Sequence, residues 1–480
     1  MVSIAASATW VLWVAAQLGW LPFARYAWAF NLWSYLPAWV GPLLAAISLS
    51  LCFRAGREAV LGAATRLGAR VAGLPRLPVA LLGLGILGTS LWLLRESQFQ
   101  GDSGLLVLAA RRGNQFVFPD IGATFLIHHA VMAGVENGLR ASSPVRVMSC
   151  VFGVVAASLA IPAARQLVGP RAAPWAVLFL LSGGMLRLFA GHVEVYAVLI
   201  AASLVYLWAA LAALDGKASL WTASLALGLV IWVHASAVCL LPSLMLLAWW
   251  DESRRPARSP ALRVAGALCV AGLPTALFLV LVGIVRPEEI RLGARKALEI
   301  LGGSSEPDAV RWWVRGWGGA PSIGTDVVFL SPPHLKYLVN AFALMIPASL
   351  PVLLGFILGE PRRFVATPRA RFLLVACVPL ALYATLLRPF WGPFDWDLFS
   401  ITALFLAALA AHLFATGLSE PLRRHVGVWL LGFQILFVGL PFLLGAALSS
   451  RDAGPFRSRT WEVDLSKPET PPPEELAPWL

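Results

Sequence analysis

Apolar residues fall in long, nearly uninterrupted runs along this chain, separated by short polar stretches. Thirteen such runs stand out: 4–22, 31–53, 77–94, 144–165, 172–188, 193–214, 218–234, 235–250, 262–285, 336–358, 372–388, 400–416 and 426–448. Most have the roughly 20 residues that a helix needs to cross the hydrocarbon core of a bilayer. Runs 218–234 and 235–250 form one continuous stretch of about 33 residues, too long for one straight span, and His234 divides it. The pattern predicts an all-α polytopic membrane protein of about 13 transmembrane helices.

The polar stretches are of two kinds. Alternate loops carry Arg54, Arg57, Arg66, Arg70 and Arg76; Arg165 and Arg171; Lys217; Arg254, Arg255, Arg258 and Arg263; Arg362, Arg363, Arg369 and Arg371; and Arg423 and Arg424. Such short basic loops stay on the cytoplasmic side. The N-terminus is therefore expected inside and the C-terminus outside, in the plasma (inner) membrane. The intervening loops include two long ones, 95–143 and 286–335, with acids, aromatics and turn residues of their own. Long structured loops are where function tends to reside.

Each long loop predicts membrane-plane helices. Asp102 can cap a helix from Ser103 to Arg112, ended by Gly113, and Pro119-Asp120 starts a second that carries His128 and His129 and ends near Gly138. Pro287-Glu288-Glu289 opens an amphipathic helix to Leu301, with Ile290, Ala294, Ala297, Leu298 and Leu301 on one stripe and Trp312, Trp313 and Trp317 beyond it. The tail 449–480, rich in proline and charge, is expected to be extended.

Composition narrows the class. Hydrophobic types make up 59% of the 480 residues and charged types 13%, where a soluble domain has about 25% charged. A soluble enzyme, a disordered chain and a secreted disulfide scaffold are excluded. The net charge of +12 is almost all arginine set between apolar runs, which is loop anchoring rather than nucleic-acid binding. Cys52, Cys150, Cys239, Cys269 and Cys377 lie singly in apolar segments and read as buried hydrophobes. No cleavable signal peptide is expected, because the first apolar stretch lacks a basic lead.

Ionisable groups near the membrane need a reason to be there. On the outer side stand His128, His129, His192, His234 and His334, with the acids Asp102, Asp120, Glu136, Glu194, Asp395 and Asp397. Asp102 suits a general base on an acceptor hydroxyl, or a helix cap. Glu194, in Gly191-His192-Val193-Glu194-Val195-Tyr196, suits a metal ligand or a sugar-hydroxyl acceptor, or an acid placed by the helix dipole. On a regular helix His192 and Glu194 would point about 200° apart, so they converge only if His192 is still in the loop. The segment from Arg388 to Asp397 sets Asp395 and Asp397 beside Trp391 and Trp396 among proline and glycine. Carboxylates bind sugar hydroxyls and aromatic faces bind sugar C–H faces; the alternatives are interfacial tryptophans and an N-cap at Asp397. His234 is a substrate contact or a packing residue. Phosphate binders would come from Arg187, Arg295, Lys296, Arg311, Arg315, Lys336 and Arg388, of which Arg311, Lys336 and Arg388 are the preferred set; lipid headgroup anchoring is the alternative. No Walker, HExxH or GxSxG motif is present, so ATP-driven and zincin chemistry have no support.

With these residues the chain resembles the GT-C glycosyltransferases, the superfamily of protein O-mannosyltransferases, aminoarabinose transferases and related bacterial enzymes. The resemblance rests on the early acid in Gly101-Asp102-Ser103, the Phe118-Pro119-Asp120 stretch between two membrane-plane helices, and the later acid Glu194 at the outer end of a span. It covers about residues 77–448 and leaves 1–76 as an added N-terminal hairpin and 449–480 as an outer tail. It implies a GT-C-like fold and transfer of a sugar from a polyprenyl-phosphate donor to a lipid, glycan or protein acceptor on the periplasmic or extracellular side. The family's role of base or metal ligand carries over only to Asp102, with Glu194 as a second candidate catalytic residue; a cofactor is not identified, and a divalent cation, if one is used, would fall to Asp102 and Glu194. Ser103 stands where other members have a second acid. A transporter or lipid flippase is the rival reading, favoured by the break at His234. Transporters often carry internal repeats and bind near the midplane, and neither mark is seen here.

Overall fold

The structure is a computed structural model. It describes residues 39–72, 74–96, 120–254, 259–285, 329–387 and 392–448, together with 8, 11–16, 29, 32–37, 106, 107, 110, 287 and 291. Asp102, Arg311, Arg388, Trp391, the expected helix over 287–301 and the tail 449–480 lie outside the described residues, as does the side chain of Asp395.

The described residues are helical throughout, in chain order: α1 (Val40–Cys52), α2 (Arg54–Ala72), α3 (Arg76–Leu93), α4 (Ile121–Glu136), α5 (Ser142–Val168), α6 (Ala173–Leu181), α7 (Met185–Leu188), α8 (Tyr196–Leu214), α9 (Leu220–Val233), α10 (Leu241–Arg254), α11 (Pro260–Val285), α12 (Pro332–Met345), α13 (Ser349–Gly359), α14 (Pro368–Leu386), α15 (Ser400–Gly417) and α16 (Glu420–Phe433). A π-helical turn, Gln434–Gly439, continues α16 into α17 (Leu440–Leu448). The expected apolar runs from 77 onward each coincide with a helix or a pair of helices. Among the described residues six helices are long and apolar enough to span a membrane, or seven if the bent pair α12–α13 is one span. Several of the thirteen expected runs are built from shorter helices, and most of the first, 4–22, lies outside the described residues.

Polar hydrogen bonds locate the breaks. Run 172–188 divides at Ser182–Gly184, and the pair α12–α13 bends by 110° at 346–348. The π turn of α16–α17 meets both. Gln434, fully buried, accepts from the Ala348 N–H at 2.9 Å through Oε1. Its amide donates to Ser182 Oγ and, at 3.4 Å, to the Leu178 carbonyl. Gly183 adopts φ +80° here, and a side chain would strike the Met345 carbonyl at 2.7 Å. Backbone left unpaired in an apolar interior is costly, so the three breaks satisfy one another.

α8 and α15 form the centre, with 78% and 89% of their spanning windows buried, whereas α11 lies outermost at 11%. Exposed Leu273, Leu277, Val280 and Ile284 give α11 a lipid-facing side, and Cys269 is exposed on the same helix rather than buried as expected. Residues 54–72, expected as part of a basic loop, form the helix α2 instead.

The basic loops gather at one end of the bundle. Asp215, after α8, accepts from Gln166 at the end of α5 and from Arg369 at the start of α14, with Lys217 at 3.2 Å. Thr367 caps α14 through the Ala370 N–H at 3.0 Å and reaches His412 Nε2 on α15 at 2.9 Å. Arg363 reaches the Thr416 carbonyl at 3.4 Å. α8 runs from this end to the other over 19 residues, about 28 Å of helix. The basic loops therefore share an end, as their alternation along the sequence requires.

Candidate active site

At the far end, short non-helical segments bring distant residues together. Ser149 Oγ on α5 binds the Leu188 carbonyl at 2.6 Å, which fixes the strand of chain leading out of α7. The Glu96 N–H donates to the Ala190 carbonyl at 2.9 Å, laying the end of α3 against that chain. Gly191 turns it with φ +64°, and a side chain there would come 2.7 Å from Arg95 Cβ. His192 and Glu194 follow in this turn, before α8 begins at Tyr196, so they are free of the helical 200° divergence. Asp397 comes from the 3-10 turn Gly392–Phe399 that leads into α15.

His192 is the hub. Its Nδ1 lies 2.6 Å from Glu96 Oε2 and its Nε2 2.9 Å from Asp397 Oδ2. A carboxylate can only accept, so both ring nitrogens donate and the ring is an imidazolium. Burial opposes that charge, but Glu96 and the hydrogen bonds from Asp397 and Glu96 outweigh it, raising the pKa from 6.5 to about 9. Burial likewise opposes ionisation of Glu96, yet His192, Arg187 and Arg146 hold its carboxyl below its usual range. Arg187 Nη2 stands 3.7 Å from Glu96 Oε2 and its guanidinium lies 4.3 Å over the Phe442 ring. Trp396 stacks obliquely on His192, centroids 5.4 Å apart, and meets Phe442 edge-on at 4.9 Å. Its indole Nε1 is buried with no hydrogen-bond partner among the described residues.

Glu194 is buried beside this hub. One ligand atom each from His192, Glu194 and Asp397 lie within 4.8 Å of one another. Oxygen ligands on opposite sides of a small divalent cation stand about 4.2 Å apart. A modest inward shift would therefore let two carboxylates and an imidazole hold such an ion. His192 would have to give up one carboxylate to ligate it.

A second polar pair lies close by. His234 ends α9 with φ −155°, and its Nδ1 accepts from the Ser236 N–H at 3.0 Å, which leaves the proton on Nε2. Nε2 stands 2.8 Å from Asp120 Oδ1 at ion-pair distance, without the alignment of a hydrogen bond. Asp120 precedes α4 but makes no side-chain cap there. Tyr196, first residue of α8, lies 5.9 Å from the His234 ring, between the two groups.

The structure thus unites His192, Glu194, Asp397 and Trp396 and sets His234 next to them through Tyr196. The residue capping α15 is Phe399, so Asp397 binds His192 rather than capping that helix, and Glu194 stands just before the Val195 cap of α8. Lys336 sits exposed in the first turns of α12, a helix packed on the 392–399 turn. His128 is turned to the Ala110 carbonyl at 2.9 Å, a structural bond. Glu96 and the approach of Asp120 to His234 were not legible beforehand. A lone acid just past the end of an apolar run was the one available signal for Glu96.

No protein-family model matches the chain, nor does any curated protein. Among solved structures it is similar to ArnT from Cupriavidus metallidurans bound to undecaprenyl phosphate, with 14% identity over 77% of this chain and 76% of that one and a TM-score of 0.46. The apo form of the same protein gives 13%, 78%, 78% and 0.45. The apo oligosaccharyltransferase of Archaeoglobus fulgidus gives 13% identity, 77% of this chain, 55% of that one and 0.40.

Proposed function

We propose that this multi-pass membrane protein is a glycosyltransferase that moves a sugar from a polyprenyl-phosphate donor to an acceptor hydroxyl at the outer face of the plasma membrane. The observation that carries the reading is the buried cluster of Glu96, His192, Glu194 and Asp397 at the end of the bundle opposite the arginine-rich loops. Carboxylates in such a place bind hydroxyls or a cation, and an outer location favours a lipid-linked sugar, since sugar nucleotides are not expected outside the cytoplasm.

In the proposed reaction Asp102 takes the acceptor's hydroxyl proton as its oxygen attacks the anomeric carbon. The bond from that carbon to the phosphate oxygen breaks with inversion, and the phosphate leaves with the electron pair. Glu194 and Asp397 hold sugar hydroxyls, with Asp397 fixed by His192, and Trp396 offers a face to the ring. Asp395 and Trp391 complete that loop, and His234 borders the pocket through Tyr196. Arg388, Lys336 and Arg311 meet the phosphate, whose charge grows as the bond breaks. A divalent cation, held by Glu194 and Asp397 with His192, would add Lewis-acid stabilisation.

The test is reconstitution in vesicles with radiolabelled polyprenyl-phosphate sugars and total lipid and glycan acceptors. Label is expected to leave the donor, and Asp102→Asn is expected to slow this by roughly 10²–10⁴-fold. The breaks at 182–184, at His234 and at 346–348 are features a transporter would share. Movement of a solute across the vesicle with no consumption of lipid-linked sugar would replace this reading with that one.

A further inference from the structure

α2 has no role in the candidate active site, and its surface is unlike that of the other helices. Its residues from Ala63 to Val71 are exposed throughout. Val60, Leu67 and Val71, exposed by 47%, 64% and 37%, recur at spacings of 7 and 4 and so share one face. Arg66 and Arg70 flank that face. Among the described residues neither has an ion-pair partner, and the helix's only acid, Glu58, is held by Arg54 at 2.6 Å.

The helix is also fixed in place. Phe53 is extended, with ψ 146°, and turns the chain sharply out of α1. Arg57 Nη1 then donates to the last carbonyls of α1, Leu51 at 2.9 Å and Cys52 at 2.7 Å. α2 packs on α16 with Glu58 close enough to His425, next to Arg424, to feel its charge, so it lies at the arginine-rich end of the bundle.

We infer that α2 lies on the bilayer surface at this end and binds anionic lipid headgroups, its apolar stripe dipping into the leaflet and Arg66 and Arg70 meeting phosphates. Two observations name a lipid surface as the occupant. Both neighbours in sequence are apolar helices with exposed apolar sides, Leu43, Ile47 and Leu49 on α1 and Leu77, Leu81, Leu82 and Ile86 on α3. The stripe of α2 joins one lipid-facing side to the other. The charge of the flanking arginines is the complement of an anionic leaflet, and an amphipathic helix of this kind rests in the interfacial plane.

Hydrogen–deuterium exchange of the full-length protein in nanodiscs tests this. Amides of 58–72 should exchange several-fold more slowly in discs containing phosphatidylglycerol than in pure phosphatidylcholine discs. The double variant Arg66→Gln, Arg70→Gln should lose that difference, while amides of α8 and α15 stay protected and so report an intact fold. Equal exchange of the wild type in both lipids would overturn the inference. So would protection that appears only in discs holding two copies, which would make the stripe a contact between chains.

Discussion

His192 shows how one side chain can organise a site. Two carboxylates at 2.6 and 2.9 Å need two ring donors, so the charge on the imidazole is part of the folded geometry. A pKa raised from 6.5 to about 9 stabilises the folded state fully below 6.5, and that contribution disappears as pH rises through 9. Glu96, held below its usual range, contributes fully above its ordinary carboxylate pKa and loses that contribution as pH falls from there through its lowered value. The melting temperature in detergent should therefore fall as pH rises from 6.5 and level off above about 9, and His192→Gln should melt lower at neutral pH with a flatter alkaline limb. An unchanged alkaline limb in the variant would refute the charged hub. Glu194→Gln should cut sugar transfer by roughly 10²-fold or more with little change in melting, because the His192 hydrogen bonds remain. The tryptophan and acid motifs were legible as separate stretches. Their meeting was not, since nothing in local spacing encodes a contact between residues 192 and 397. Glu96 was missed because beside Arg95 it looks like an ordinary charge at a helix end.

Among elements, helix positions were readable and helix breaks were not. Apolar periodicity locates a helix, but a broken span has the same composition as a straight one. The break at His234 was legible because a polar residue interrupts an overlong run. Ser182-Gly183-Gly184 and Pro347 offered weaker marks, and Gln434 none. α2 was taken for loop because its arginines dominate the pattern over a narrow apolar stripe. Gln434 is the bond between three breaks, so Gln434→Leu should leave the buried Ala348 N–H without its partner and cost about 1–3 kcal/mol, while Ser182 keeps its bond to the Leu178 carbonyl. A melting temperature equal to wild type would show that the breaks do not depend on this residue. Gly183→Val should be comparably harmful, for its side chain meets the Met345 carbonyl.

On the scale of the whole molecule, the two ends differ in chemistry. Arg369, Lys217 and Asp215 mark one, and Glu96, Glu194 and Asp397 the other, with α8 running between them. The arginine pattern alone gave this polarity, because charge asymmetry is written locally in each loop. Single cysteines placed at Asn137 and Lys217 in a cysteine-free background should react with an impermeant maleimide from opposite sides of the membrane, Asn137 from outside. Labelling of both from one side would overturn the topology and, with it, the proposed lipid-linked donor.

The hub around His192 also sets a schedule for biosynthesis. Glu96 is made early, His192 follows 96 residues later, and Asp397 arrives 205 residues after that. At 5–20 residues per second, about 15–60 s separate the first of these charges from the last. Until His192 is made the ribosome-bound intermediate carries Glu96 without its partner, and until Asp397 is made it carries His192 with only one of its two. The insertion machinery must shelter them, and a prematurely terminated chain would remain a ready substrate for membrane proteases.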